Sequence, residues 1–191
     1  MKEILHKYKD ILIAFGVILL ISAAFVPSNF KSKAPVQNDI VEFKGASNEM
    51  LQYQEKNDEW ILWTNSLFSG MPTYVIRNIG GQSIIKGLKW PRTPKIWSQL
   101  VLYLSCSFIM LLSFGVRPWI ALVGAIGIGF ATANLTILEV GHTSKAAAVG
   151  YLPLVIAGIQ YLFRKRHLLG LTILSTGLGL EIFVNHVQIT Y

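Results

Sequence analysis

Five apolar runs constrain this chain more than anything else in it. They cover residues 11–26, 96–116, 119–138, 146–163 and 168–184, and each is about as long as a helix needs to be to cross a bilayer. A helix satisfies its own backbone hydrogen bonds, which an open single segment in lipid cannot otherwise do. Hydrophobic residues make up 52% of the chain and charged residues 14%, too apolar a balance for an ordinary soluble domain. The expected fold is an all-α polytopic membrane protein. It would have about five transmembrane helices and a long outer loop containing interfacial amphipathic helices.

The net charge is +7, which in a soluble protein would point to nucleic acid. Here much of the basic charge flanks the apolar runs, so membrane orientation is the simpler cause and no nucleic-acid partner is expected. Lys2, Lys7 and Lys9 precede the first run. Arg117 separates the second from the third, and Arg164, Lys165, Arg166 and His167 separate the fourth from the fifth. The positive-inside rule puts all of these in the cytoplasm. The expected arrangement is multi-pass, with the N-terminus inside. Ser22-Ala23-Ala24 has the small-x-small form of a signal-peptide cleavage site. An uncleaved first span is favoured, because the rest of the chain needs a partner helix. Cys106 lies alone in an apolar run, with no second cysteine for a disulfide or a metal site.

The chain divides into a first span at 1–27, an outer loop at 28–97 and four further spans over 98–191. A loop of that length in a compact protein is usually functional. Asp39 followed by Glu42 has the spacing of a capping box, so a helix is expected to start there with Asp39 as its N-cap. Met50, Leu51 and Tyr53 would lie along it. Trp60, Trp63, Phe68 and Tyr74 follow, around a Gly70-Met71-Pro72 turn. Aromatic side chains with a polar tip favour headgroup depth, so this segment is expected to lie on the membrane without crossing it. Gly80-Gly81 breaks it before a basic amphipathic piece at 82–89, which Pro91 and Pro94 end. The third span holds Gly124, Gly127, Gly129, Ala131 and Ala133, small residues that permit close helix packing. Asn134-Leu135-Thr136 matches a glycosylation sequon but lies at membrane depth and is discounted as one.

Between the third and fourth spans runs Glu139-Val140-Gly141-His142-Thr143-Ser144-Lys145. An acid, an imidazole and an ammonium are brought into one short turn at a membrane surface. The plain reading is a solvated hairpin tip with Gly141 as the helix C-cap. With the N-terminus inside, this turn, the long loop and Asn185-His186-Val187-Gln188 all fall on the outer face. Three polar clusters on one face point to an extracytoplasmic site, although outer loops are polar in any case. After Asn185 the chain shows no basic cluster or tail, and it reads as the front portion of a longer protein.

The motifs at residues 63–74, 141–145 and 185–188 resemble the N-terminal part of the YfhO-type bacterial membrane proteins, members of the GT-C glycosyltransferase superfamily. Asp39 also fits, as the acid in the first outer loop. The resemblance implies a polytopic plasma-membrane enzyme. It would move a sugar, with inversion, from a polyprenyl-phosphate donor to an envelope polymer or lipid acceptor on the outer side. Members of that family are several times longer than this chain.

Such a transfer needs a carboxylate to take the proton of the acceptor hydroxyl and a positive group to balance the departing phosphate. By the resemblance the carboxylate comes from the first outer loop, so Asp39 is the first catalytic candidate and Glu42 the second. Asp39 could equally be only a helix cap. Lys145 and His142 are the candidates for the phosphate, though Lys145 could merely snorkel to the interface. Asn185, His186 and Gln188 are candidate substrate contacts. Glu139 could hold a divalent cation with Asp39, but two acids without a third ligand are a weak metal signal, and the cofactor stays open. Glu181, inside the last span, must face a partner or a cavity. Two readings from other classes stay beside the enzyme: a lipid-linked glycan transporter and a non-catalytic membrane assembly subunit.

Overall fold

A computed structural model describes residues 2–27, 37–76, 95–184 and 186–190. The basic piece expected over 82–89 and the candidate Asn185 lie outside the described residues. The chain forms two compact units, one of Met1–Ala34 with Thr93–Tyr191 and the other of Pro35–Arg92.

The larger unit is a helix bundle. Its elements are α1 (Lys2–Phe25), α4 (Lys95–Ser113), α5 (Pro118–Gly129), α6 (Thr132–Val140), α7 (Thr143–Phe163), α8 (His167–Val184) and the short α9 (Val187–Thr190). Four helices are each long and apolar enough to cross a membrane: Tyr8–Phe25, Ile96–Ser113, Thr143–Phe163 and His167–Val184. The pair α5 and α6 makes a fifth if it counts as one span, and it is bent by 50°. The all-α polytopic architecture read from the apolar runs is the one observed.

The third span is the point of difference. It was expected as one helix over 119–138, but it breaks at Phe130 and Ala131. Gly127 and Gly129 are poor helix residues, and Ala131 takes an extended conformation with φ −55° and ψ 138°. The break is braced from below. The Asn134 side-chain amide donates to the Ile128 carbonyl at 2.8 Å, replacing a bond that the broken ladder gives up. The sequon residue is thus a structural brace.

Two apolar clusters hold the bundle. In the first, Ala14 and Ile18 of α1 meet Leu104 and Phe108 of α4 and Ala121, Leu122 and Ala125 of α5. Phe15 meets Phe108 edge to face at 5.3 Å, a preferred geometry for aromatic pairs. In the second, Leu100 and Tyr103 of α4 pack with Leu138 of α6 and Ala146 of α7, joined by Val26. Close approach depends on glycines, as small-residue packing predicts. A Cβ on Gly129 would stand 2.6 Å from Leu104 Cδ2, but one on Gly127 would meet nothing within 4 Å. The tightest seam lies elsewhere, between α7 and α8, where a Cβ on Gly158 would stand 2.5 Å from the Leu174 backbone nitrogen.

The smaller unit is built on α2 (Asn38–Asn57), which is followed by a hairpin of β1 (Trp63–Thr64) and β2 (Met71–Pro72) and by the short α3 (Thr73–Ile76). The strands are antiparallel, with Trp63 opposite Pro72 and Thr64 opposite Met71. Met50 and Ser47 form the buried side of α2. The helix expected after Asp39 is present, but its start differs. Gln37 is the N-cap, without a side-chain capping bond, and its carbonyl accepts from Ile40 and Val41. Asp39 is therefore the second residue inside the helix and the capping box with Glu42 does not form. An acid within the first turn is still favoured by the helix dipole. The segment expected to lie on the membrane without crossing it contains this hairpin, which is hydrogen-bonded to α2.

Candidate functional site

The bundle has two chemically different ends. At one end Arg164 Nη2 donates to the Phe114 carbonyl at 2.8 Å, tying the α7–α8 loop to the α4–α5 loop. Gly115 permits this contact with φ +78°, and a Cβ there would meet the guanidinium at 2.9 Å. Arg117, Arg164, Lys165 and Arg166 are all exposed around this point. These four of the basic residues that the positive-inside rule grouped together share one end of the bundle.

The opposite end carries the polar turn. Gly141 closes α6 in the left-handed conformation, with φ 96°, and its N–H donates to the Ile137 carbonyl at 3.3 Å. This is the C-cap read from the sequence. Two residues suffice to reverse the chain, because the His142 carbonyl already accepts from Ala146 at 2.8 Å to open α7. The His142 side chain does not cap that helix. Glu139 and His142 are exposed, and Lys145 is half-buried in the first turn of α7.

The placement of Lys145 runs against local helix electrostatics. The N-terminus of a helix is its positive end and disfavours a cation. No acid lies in the first turn of α7 to offset it. Among the described residues Lys145 has neither a hydrogen bond nor an ion pair, and the site therefore adds one positive group to another. Donor N–H groups at a helix start, with an ammonium beside them, form an arrangement that accepts an anion.

Further groups converge on this end. Gln99, in the first turns of α4, donates through Nε2 to the Thr143 carbonyl at 3.2 Å. Sequence reasoning missed it, and the available signal was a lone amide at the start of an apolar helix. The α7–α8 register follows from their glycines: Gly158 meets Leu174, Gly170 meets Leu162 and Gly177 meets Val155. The helices are antiparallel, so the end of α8 lies beside the start of α7. The half-buried His186 and the exposed Gln188 follow there, and α9 packs on both helices. Glu181 is only 2% exposed, on the α8 stripe that also carries Gly170 and Gly177.

Glu139, His142, Lys145, His186 and Gln188 thus lie at one end of one unit. Asp39 and Glu42 belong to the other, with Asp39 half-buried and Glu42 exposed at the start of α2. Among the described residues, no group of three or more His, Cys, Asp or Glu side chains is placed to hold a metal ion. The suggestion of a divalent cation at Glu139 gains no ligand set from the fold. The smaller unit has a polar network that the sequence did not reveal. Thr64 Oγ1 donates to the Glu49 carboxylate, and Ser66 Oγ donates to the Ala46 carbonyl at 2.9 Å.

Fold and charge together define a multi-pass membrane protein with one basic and one mixed polar end. Comparison with protein-family models, with curated proteins and with solved structures finds no match.

Proposed function

We propose that this protein is a membrane glycosyltransferase that takes a sugar from a polyprenyl-phosphate donor at the end of the bundle bearing the Glu139–Lys145 turn. The acceptor is a cell-envelope polymer or lipid, and the face is extracytoplasmic. One observation carries the reading: a cation without an ion pair among the described residues, in the first turn of α7, at the end opposite the basic loops. Lys145 and His142 hold the donor phosphate, and His186 and Gln188, which follow α8 at the same end, contact its sugar. The base that accepts the acceptor hydroxyl proton is assigned to Asp39, with Glu42 second, from the resemblance of the first outer loop to GT-C enzymes.

The test is retention of a polyprenyl monophosphate by the purified full chain in detergent micelles. A charge-assisted hydrogen bond is worth about 1.5–3 kcal/mol, so Lys145→Gln should weaken retention roughly 10- to 100-fold. Arg117→Gln, at the opposite end, should leave it unchanged. Equal loss in both variants would mean that any surface cation serves, and the proposed site would be wrong.

A further inference from the structure

The hairpin of the smaller unit displays its large apolar side chains outward. Phe68 is 88% exposed, Leu62 72%, Tyr74 63% and Trp63 56%. Trp60, expected from the sequence to share their environment, is half-buried instead. Phe68 and Trp63 lie on the hairpin, Leu62 directly before it and Tyr74 in α3 directly after it, and exposed apolar groups gathered on one short stretch mark a contact surface more often than chance does.

The backbone at the tip is held in an unfavourable form to achieve this. Phe68 and Ser69 have φ of +51° and +61°, in the left-handed region that a bulky residue seldom enters. Gly70 follows at φ +123°, and a Cβ there would stand 2.7 Å from Trp63 Nε1. The indole therefore lies over the turn, with its N–H directed to Asn65 Oδ1 at 3.3 Å. Strain of this kind persists only where surrounding bonds enforce it, and it concentrates at functional positions.

Those enforcing bonds are present at the base. Thr64 donates to Glu49 and Ser66 to the Ala46 carbonyl, fastening the hairpin to α2. Thr73 Oγ1 donates to the Ile61 carbonyl at 2.6 Å, and the Thr73 N–H donates to the Leu62 carbonyl at 3.0 Å, closing the open side. Thr64 and Thr73 are buried, so water does not compete for these bonds. The result is a stiff base carrying an apolar tip.

The chain itself identifies the occupant. Both ends of this unit run into helices that are long and apolar enough to cross a membrane, α1 before it and α4 after it. The bilayer is then the apolar phase to which the hairpin is permanently tethered. Trp and Tyr flanking a Phe tip match the preference of these rings for the headgroup–acyl boundary. We propose that the β1–β2 hairpin is a lipid wedge, with Phe68 below the headgroups, Leu62, Trp63 and Tyr74 at their level, and Trp60 outside the lipid. This rests on the exposed side chains and the membrane-crossing helices and is independent of sugar transfer.

The test uses the full chain with Cys106→Ala, reconstituted in phosphatidylcholine–phosphatidylglycerol vesicles. A nitroxide is placed at Phe68→Cys, at Leu62→Cys as a second hairpin site, and at Glu55→Cys on the exposed side of α2. Collisions with oxygen, which partitions into lipid, are compared with collisions with a water-soluble nickel chelate. The wedge requires oxygen to dominate at 68 and the chelate to dominate at 55, with 62 between them. Chelate dominance at 68 and 62 would overturn the proposal, since the hairpin would then be solvated. Protection of both from either agent would also overturn it, in favour of a protein contact such as a second copy of this chain.

Discussion

Lys145 and Asp39 show how far single residues could be read. The turn around Lys145 was legible because its determinants are adjacent in sequence: Gly141 supplies the left-handed cap and a new helix opens two residues later. Asp39 was misplaced as an N-cap because Asn38, Asp39 and their neighbours offer several capping groups, and the fold uses the backbone of Gln37 instead. Gln99 and Glu49 were illegible for a different reason. Their partners lie 44 and 15 residues away, beyond any local rule. The new position of Asp39 changes what its substitution should do. Asp39→Asn removes a carboxylate from the first turn of α2, at a cost of about 0.3–1 kcal/mol in helix-dipole interaction. If Asp39 is the base, sugar transfer should also fall by about 10² to 10⁴. Transfer rate and melting temperature measured together separate the two effects. A normal rate with a slightly lowered Tm would take the base away from Asp39.

At the scale of elements, the spans were legible because twenty apolar residues have few alternatives to a crossing helix. Which helices would press closest was not. The glycines of the third span drew attention, yet the nearest backbones are those of α7 and α8, whose glycines are spread over two helices and pair only in three dimensions. Gly158→Ala should therefore destabilise the bundle by about 1–3 kcal/mol, the usual cost of overpacking. Gly179→Ala is the control, because a Cβ there meets nothing within 4 Å. It should be neutral, or should gain up to about 1 kcal/mol from helix propensity. Thermal unfolding in one detergent ranks the two, and a Gly158→Ala protein as stable as the Gly179→Ala protein would show that the seam is looser than drawn.

At the scale of the molecule, the opposition of the two ends can be checked in cells. With Cys106→Ala, cysteines at Thr143 and at Lys165 should react with an impermeant thiol reagent from opposite sides of the membrane. Positive-inside orientation requires Thr143→Cys to label in intact cells and Lys165→Cys only after lysis. Labelling of both from one side would mean that α7 does not cross, and the reverse pattern, with Lys165→Cys reactive in intact cells and Thr143→Cys only after lysis, would mean that the bent α5–α6 pair turns back without crossing. If it does cross, the bend has a further consequence. At 1.5 Å per residue its twelve- and nine-residue arms measure roughly 18 and 14 Å. Set at 50°, they reach roughly 29 Å end to end instead of about 32 Å for a straight rod. The hydrocarbon layer it must match is about 30 Å thick before any tilt, and each ångström of mismatch costs a fraction of a kcal/mol. The bilayer that fits α5 and α6 best is then about 3 Å thinner than the one a straight span would take. Thermal stability in phosphatidylcholine bilayers of graded acyl length should accordingly peak at shorter chains than for a variant straightened by Gly127→Ala with Asn134→Leu, since a Cβ on Gly127 meets nothing within 4 Å. The polar turn at the end of α6 is thereby held nearer to the acyl tails than a straight helix would hold it.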